Sequence, residues 1–148
     1  MARKKSKGNT GRFAGLPYQM MTSTKYIELS VHSKALLYEL AYQYNGKNNG
    51  DLTLTASLLG ARGFASSTVS RCLNELKQRG FVVVTRQGWK QRSKPTLLAI
   101  TWQGIDDHPS GLEYDEGVKV DPRPLSLWRD EEKKIQVKPT KAVYKNAG

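Results

Sequence analysis

A mainly α fold with one small β-hairpin, an α+β arrangement of three helices and two strands, follows from three features of the sequence. Apolar residues recur at helical spacing in three stretches between Ser30 and Arg79. Glycine-bearing turns at Gly46, Gly63 and Gly80 separate those stretches. Two apolar, β-branched runs, "FVVVT" and "TLLAITW", then flank a polar tip broken by Gly88 and Pro95, which reads as a hairpin.

The elements follow in order. "MARKKSKGNTGRF" has five Lys or Arg, no acid and too little apolar surface to offset ordering entropy, so residues 1 to about 15 are expected to form a disordered basic arm. Pro17 to Leu29 is weakly patterned, and "STKYIEL" fits either a short helix or an extended lead-in. A first main helix then starts at a cap on Ser30 or Ser33. Leu36, Leu37, Leu40, Ala41 and Tyr44 form its apolar stripe, and Asn45 and Gly46 end it. "NGKNNG" is turn chemistry, and "DLTLT" alternates like a short strand.

Thr55 is placed to cap a second helix through "ASLLGAR", with Leu58 and Leu59 expected to face inward. Gly63 supplies a turn and Phe64 plugs the core beside it. The third helix runs from Ser66 to Arg79, capped by Ser66 or Ser67 and ended by Gly80. Val69, Cys72, Leu73 and Leu76 make its buried stripe, which leaves Ser67, Ser70, Arg71, Asn74, Lys77 and Gln78 on the opposite face.

Length and charge bound the organisation. The 148 residues fit one domain of residues 16–105 behind the basic arm, with a mostly extended tail over 106–148 and a short helix near 126–135, where Ser126 can cap. The net charge is +11, and its excess lies upstream of Asp106: residues 1–105 carry 16 basic and 4 acidic side chains, residues 106–148 carry 8 and 9. Such a balance attracts nucleic acid or anionic lipid. No apolar run is long enough to span a bilayer, and the basic N-terminus lacks the apolar segment of a secretory signal. The single Cys72 cannot form an internal disulfide. A cytoplasmic, nucleoid-associated protein of a bacterium is the expectation, with no membrane partner.

Helix, short strand, helix, tight turn, helix and hairpin is the order of a winged helix-turn-helix. The stretches "LSVHSKALLYELAYQYNGKNNGDLTL", "RGFASSTVSRCLNELKQRGFVVVTRQG" and "LLAITW" resemble small helix-turn-helix proteins of bacterial prophages and other mobile elements. More distantly they are similar to winged-helix regulators and to the winged domains of phage and plasmid replication initiators. The resemblance covers about Pro17 to Asp107. It implies that Ser66 to Arg79 is a recognition helix and Arg86 to Pro95 a wing tip. "GARGFASST" departs from the compact form of this motif by holding a longer turn, which shifts where the recognition helix begins.

Duplex DNA is the expected partner. Arg71 and Asn74, three positions apart on one helical face, have the donor geometry for guanine O6/N7 and adenine N6/N7, and Ser67 and Ser70 share that face as base-reading candidates. Ser66 and Thr68 at the helix start, with Lys77 and Gln78 further along, are backbone candidates. So are Arg86, Trp89, Lys90, Arg92 and Lys94 on the hairpin, and Arg3, Lys4, Lys5 and Lys7 in the arm. For Trp89, packing back on the hairpin is an equal reading. For the arm, plain solubilisation is.

Enzyme chemistry finds little support. His32 and His108 are the only histidines, and no metal-spaced Cys/His cluster or phosphate-cradling glycine loop is present, so no cofactor and no metal are expected. "DDH" at 106–108 reads as a strand-exit turn. Leu127 and Trp128 interrupt an otherwise polar tail, and they either contact a protein partner or dock on their own chain. The leading expectation is a transcriptional regulator of a mobile element that binds a specific duplex site, with a homodimer as one partner state. The alternative is a replication-initiation factor or protein-interaction adaptor that uses the winged surface and the tail. RNA is less favoured, since a helix fits the wide major groove of B-form DNA and not the narrow one of A-form RNA.

Overall fold

In the computed structural model, which describes residues 11–88, 94–107 and 113–129, the chain runs α1 (Tyr18–Met21), α2 (Thr24–Ile27), α3 (Val31–Gln43), α4 (Ala56–Gly60), α5 (Ser66–Gln78), β1 (Val82–Arg86) and β2 (Leu97–Ile100). Helices and a two-stranded antiparallel hairpin share one core. Short side-chain caps set most helix starts. Ser23 accepts from Tyr26 N–H, Ser30 from Ser33 N–H and Thr55 from Leu58 N–H. The weakly patterned lead-in thus resolves into two single-turn helices, α1 and α2.

The third main helix begins differently from the expectation. Its N-cap position is Ala65, which has no side-chain acceptor, so Ser66 and Ser67 lie inside the first turn and do not cap it. At the other end Gly80 takes φ 82°, Gly80 N–H donates to Lys77 O at 3.2 Å and Phe81 N–H to Leu76 O at 3.0 Å. That is the Schellman closure a left-handed glycine permits. It turns the chain directly from α5 into β1.

α4 also corrects an expectation. The helix has five residues and closes at once through Phe64 N–H to Leu59 O at 2.9 Å, with Gly63 at φ 92°. Neighbouring positions on a helix point about 100° apart, so a single turn offers one inward site. Leu59 takes it, fully buried, whereas Leu58 stays 41% exposed.

β1 pairs with β2 through Val82↔Ile100, Val83↔Ala99, Val84↔Leu98 and Arg86↔Leu97, with a register irregularity between Val84 and Arg86. The expected strand at "DLTLT" is reduced to one bridge, Leu52↔Leu98. One reason is Ile100, whose N–H and O face the same edge as those of Leu98 and are taken by the Asn49 side chain at 2.8 and 3.0 Å, while the Gln43 side chain holds the outward-facing N–H and O of Thr53. The backbone groups that would have extended the pairing are already satisfied.

The core gathers Leu36, Leu37 and Leu40 of α3, Leu59 of α4, Val69, Cys72 and Leu76 of α5, and Phe81, Val82, Leu98 and Ile100 of the hairpin. Leu73 and Phe64 pack on it partly buried. Trp128 belongs to it as well, at 4% exposure, so the tail is docked in cis at least to Arg129. Ser126 stands directly before helical residues there, its O accepting from Arg129 N–H at 3.0 Å, with a φ of 48° and its own N–H donating to Thr101 O at 2.8 Å. Leu127 to Arg129 have helical backbone, and the rest of the helix expected near 126–135 lies outside the described residues. Among the described residues no helix is long and apolar enough to cross a membrane.

Candidate nucleic-acid interface

The buried stripe of α5, Val69, Cys72 and Leu76, fixes the helix against the core and so determines which side is presented to solvent. Ser67, Ser70, Arg71, Asn74, Lys77 and Gln78 all lie exposed on that side. None of these six side chains forms a hydrogen bond or ion pair with another described residue. With no side-chain acceptor at Ala65, the first-turn N–H groups around Ser66, Ser67 and Thr68 lack the capping partner that the other main helices have. Hydroxyls, unpaired amide donors and one guanidinium therefore share a surface that carries no acid.

Glu75, the one acid of α5, is turned away from this surface. Its carboxylate accepts from Ser30 N–H at 2.9 Å, Ser30 Oγ–H at 3.2 Å and Ser33 Oγ–H at 3.1 Å, at the start of α3. A carboxylate on a helix N-terminus is well placed electrostatically, and its charge is used up inside the fold. Arg79 is likewise engaged, with Glu28 at 3.0 Å. Arg62, near the turn before α5, pairs with Glu39 and lies 4.5 Å over the Tyr42 ring. The hydrogen bond with Glu39 holds its pKa above the ordinary arginine value.

The hairpin extends from the same turn that ends α5. Gly88 sits where the strands converge: a Cβ there would meet Thr96 N and come within 2.7 Å of Lys94 O, and Gly88 N–H donates to Thr96 Oγ1 at 3.0 Å. Lys94 is exposed. Arg86 is half-buried, and its Nε is enclosed without a hydrogen-bond acceptor. Trp89, Lys90 and Arg92 of the hairpin, and Arg3, Lys4, Lys5 and Lys7 of the arm, lie outside the described residues.

Two features beside this surface escaped sequence reasoning. Asn49, read only as turn chemistry, is fully buried. Its side chain donates to Ile100 O, Gln103 O and Gly104 O at 2.8 to 3.0 Å and accepts from Ile100 N–H at 2.8 Å. Its N–H reaches Asp106 Oδ2 at 2.9 Å, which makes Asp106 part of a turn. The second feature is the acidic tail segment "EYDE" at 113–116. Asp115 accepts from Gln87 N–H at 2.7 Å, and its own N–H donates to Thr85 O at 2.8 Å, so this acid is fastened at the tip end of β1.

Tyr114 anchors that segment by donating to Asp106 O at 2.8 Å while covering Gly50, which has a φ of 119° and where a Cβ would meet the Tyr114 side chain. Burial, helped by the charges of Asp51, Asp106 and Asp107, pushes the Tyr114 pKa up. Leu127 and Trp128, the candidate protein-contact pair, are half-buried and buried against their own chain. Among the described residues no group of three His, Cys, Asp or Glu side chains is arranged to hold a metal. No protein-family model, curated protein sequence or solved structure matches this chain.

Proposed function

We propose that the chain is a winged helix-turn-helix protein that binds double-stranded DNA at a preferred sequence, without enzymatic activity, and regulates transcription on a bacterial mobile element. α5 acts as the recognition helix. Arg71 and Asn74 read base edges in the major groove, assisted by Ser67 and Ser70, while Ser66, Thr68, Lys77 and Gln78 meet phosphates. The hairpin is the wing, and Arg86 and Lys94 neutralise adjacent backbone together with Trp89, Lys90 and Arg92. Arg3, Lys4, Lys5 and Lys7 add phosphate contacts from the arm.

The observation that carries this reading is the unpartnered outer face of α5. Ser67, Ser70, Arg71, Asn74, Lys77 and Gln78 are exposed together, while Glu75, which would repel phosphate, is consumed by Ser30 and Ser33. A merely soluble helix face usually mixes charge signs and pairs them along the helix. This one offers donors and no acid. The replication-initiation or adaptor alternative is weakened where it relies on Trp128, since an adaptor contact through that ring would require it to leave the core.

The test is selection of bound duplexes from a random pool, read by sequencing, with wild type and Arg71→Ala. An enriched motif that loses one specified position in Arg71→Ala, at a cost of about 1 to 3 kcal/mol for that base, supports the assignment. Recovery of a pool with no motif rejects sequence reading by α5.

A further inference from the structure

A second surface, remote in sequence from α5, has its own chemistry. Arg12 to Ala14 run beside the C-terminal end of α3 and form with it an open cavity of about 400 Å³, lined in part by Arg12, Phe13, Tyr42 and Tyr44. Phe13 is 81% exposed and Tyr42 62%, although the core nearby covers Leu40 and Ala41. Arg12 donates to Tyr44 O at 3.1 Å, which holds its guanidinium at the rim. Arg62, paired with Glu39, lies 4.5 Å over the Tyr42 ring. No Asp or Glu lines the cavity.

Exposed aromatic rings beside the Arg12 guanidinium, in a lining that contains no acid, suit a flat, π-faced ligand that carries a negative group. We propose that this cavity takes an unpaired nucleobase, stacked on Phe13 and Tyr42, with its phosphate on Arg12. Its volume suits one nucleotide unit, within the range of small-ligand sites. A paired base cannot use it, because both faces are covered by neighbours in the duplex stack. The excess of basic over acidic residues upstream of Asp106 attracts single strands as it would duplex. The inference stands on this cavity alone and does not depend on what α5 binds.

The test is fluorescence anisotropy of a short labelled oligothymidylate, and separately of a duplex, with the full chain and its Phe13→Ala, Tyr42→Ala, Tyr42→Phe, Arg12→Gln and Arg71→Ala variants. Circular dichroism checks that each is folded. Tyr42→Ala and Phe13→Ala are each expected to weaken single-strand binding about tenfold, as loss of a stacking partner does, while Tyr42→Phe keeps it. Arg12→Gln weakens binding and flattens its salt dependence. Arg71→Ala leaves single-strand binding unchanged and affects the duplex only, so failure at α5 and failure at the cavity are told apart.

Thymidine monophosphate as competitor separates the sources of the base. Competition that Tyr42→Ala abolishes assigns the cavity to free nucleotides. Its absence, with oligothymidylate binding still sensitive to Tyr42→Ala, assigns it to a strand. Wild-type affinity in folded Tyr42→Ala and Phe13→Ala, or no single-strand binding by wild type, overturns the proposal.

Discussion

Ser30 N–H donates to the Glu75 carboxylate at 2.9 Å, joining the first residue before α3 to the middle of α5 across 45 positions of sequence. The same carboxylate takes the hydroxyls of Ser30 and Ser33, so three donors converge on one acid in a half-buried site. Glu75→Ala leaves them without that acceptor. Hydrogen bonds to a charged group are worth more than neutral ones, and the variant is expected to lose about 2 to 3 kcal/mol in urea denaturation. Glu75→Gln, which keeps one acceptor oxygen, loses less.

Asn49 gives a second prediction. Its NH2 group serves carbonyls of Ile100, Gln103 and Gly104, and its Oδ1 serves Ile100 N–H. Asn49→Ala strands those groups and opens a void, at a cost of about 2 to 4 kcal/mol. Asn49→Asp is expected to be worse despite its near-identical shape, because it turns two donor hydrogens into an acceptor facing three carbonyl oxygens and buries a charge. Urea midpoints ordered wild type, Ala, Asp check this.

These two sites mark what was legible in the sequence. α3, α5 and the hairpin announce themselves through local patterns: a serine before an apolar stripe, a glycine after it, β-branched runs about a polar tip. Those patterns are local because the hydrogen bonds behind them join near neighbours. Asn49 and Gln43 act over long range through side-chain amides, and nothing in "NGKNNG" separates an asparagine that turns the chain from one that holds a distant turn. Leu58 misled because a single-turn helix has too few residues for its period to define a face. The tail was legible only in part. Its net charge of about zero hid an acidic half, now fastened to the hairpin by Asp115, while Trp128, which stood out in a polar tail with two readings open, completes the core. The outer face of α5 was legible because an amphipathic helix reveals its exposed side once its buried side is known.

Gly80 tests how the tail is held. A Cβ at this residue would stand 2.7 Å from the Leu127 carbonyl carbon, and its φ of 82° disfavours any side chain. Lys25 Nζ clamps the same place by donating to Arg79 O at 3.2 Å and Leu127 O at 3.3 Å. Gly80→Ala is expected to cost about 1 to 2 kcal/mol from backbone strain alone. It also displaces Leu127 and partly wets Trp128, which appears as a red shift of tryptophan emission in the folded state. Gly63→Ala, with the same strain and open space around its Cβ, is the control: it loses stability without the shift.

Alkaline pH acts through the phenols of buried Tyr26 and half-buried Tyr44 and Tyr114. Burial is the first cause of the raised pKa values of Tyr26, Tyr44 and Tyr114, from an ordinary value of 10.0. A raised folded value means that the fold favours the neutral phenol. The contribution is complete below the unfolded value and is lost as pH rises through the folded one. Stability is therefore expected to fall above pH 10, more steeply than for a chain with exposed tyrosines. Tyr114→Phe removes one such group. It makes that fall shallower while losing the bond to Asp106 O at every pH. Denaturation midpoints across the alkaline range compare the slopes.

The acidic segment at the tip end of β1 bears on DNA affinity under the proposed function. Asp115 is held there by Gln87 N–H, with Glu113 and Glu116 exposed on either side of the Tyr114 anchor. Phosphates that approach Arg86 and Lys94 meet these like charges within roughly a Debye length, which at ~0.1 M salt is about 10 Å. Neutralising all three as Glu113→Gln, Asp115→Asn and Glu116→Gln keeps an acceptor for Gln87 and removes the repulsion. Duplex affinity is expected to rise on the order of tenfold at low salt, and the gain is expected to vanish as salt is raised. A gain that persists at high salt points instead to a rearranged tail, and the position of Trp128 emission in the same samples shows whether the tail has left the core.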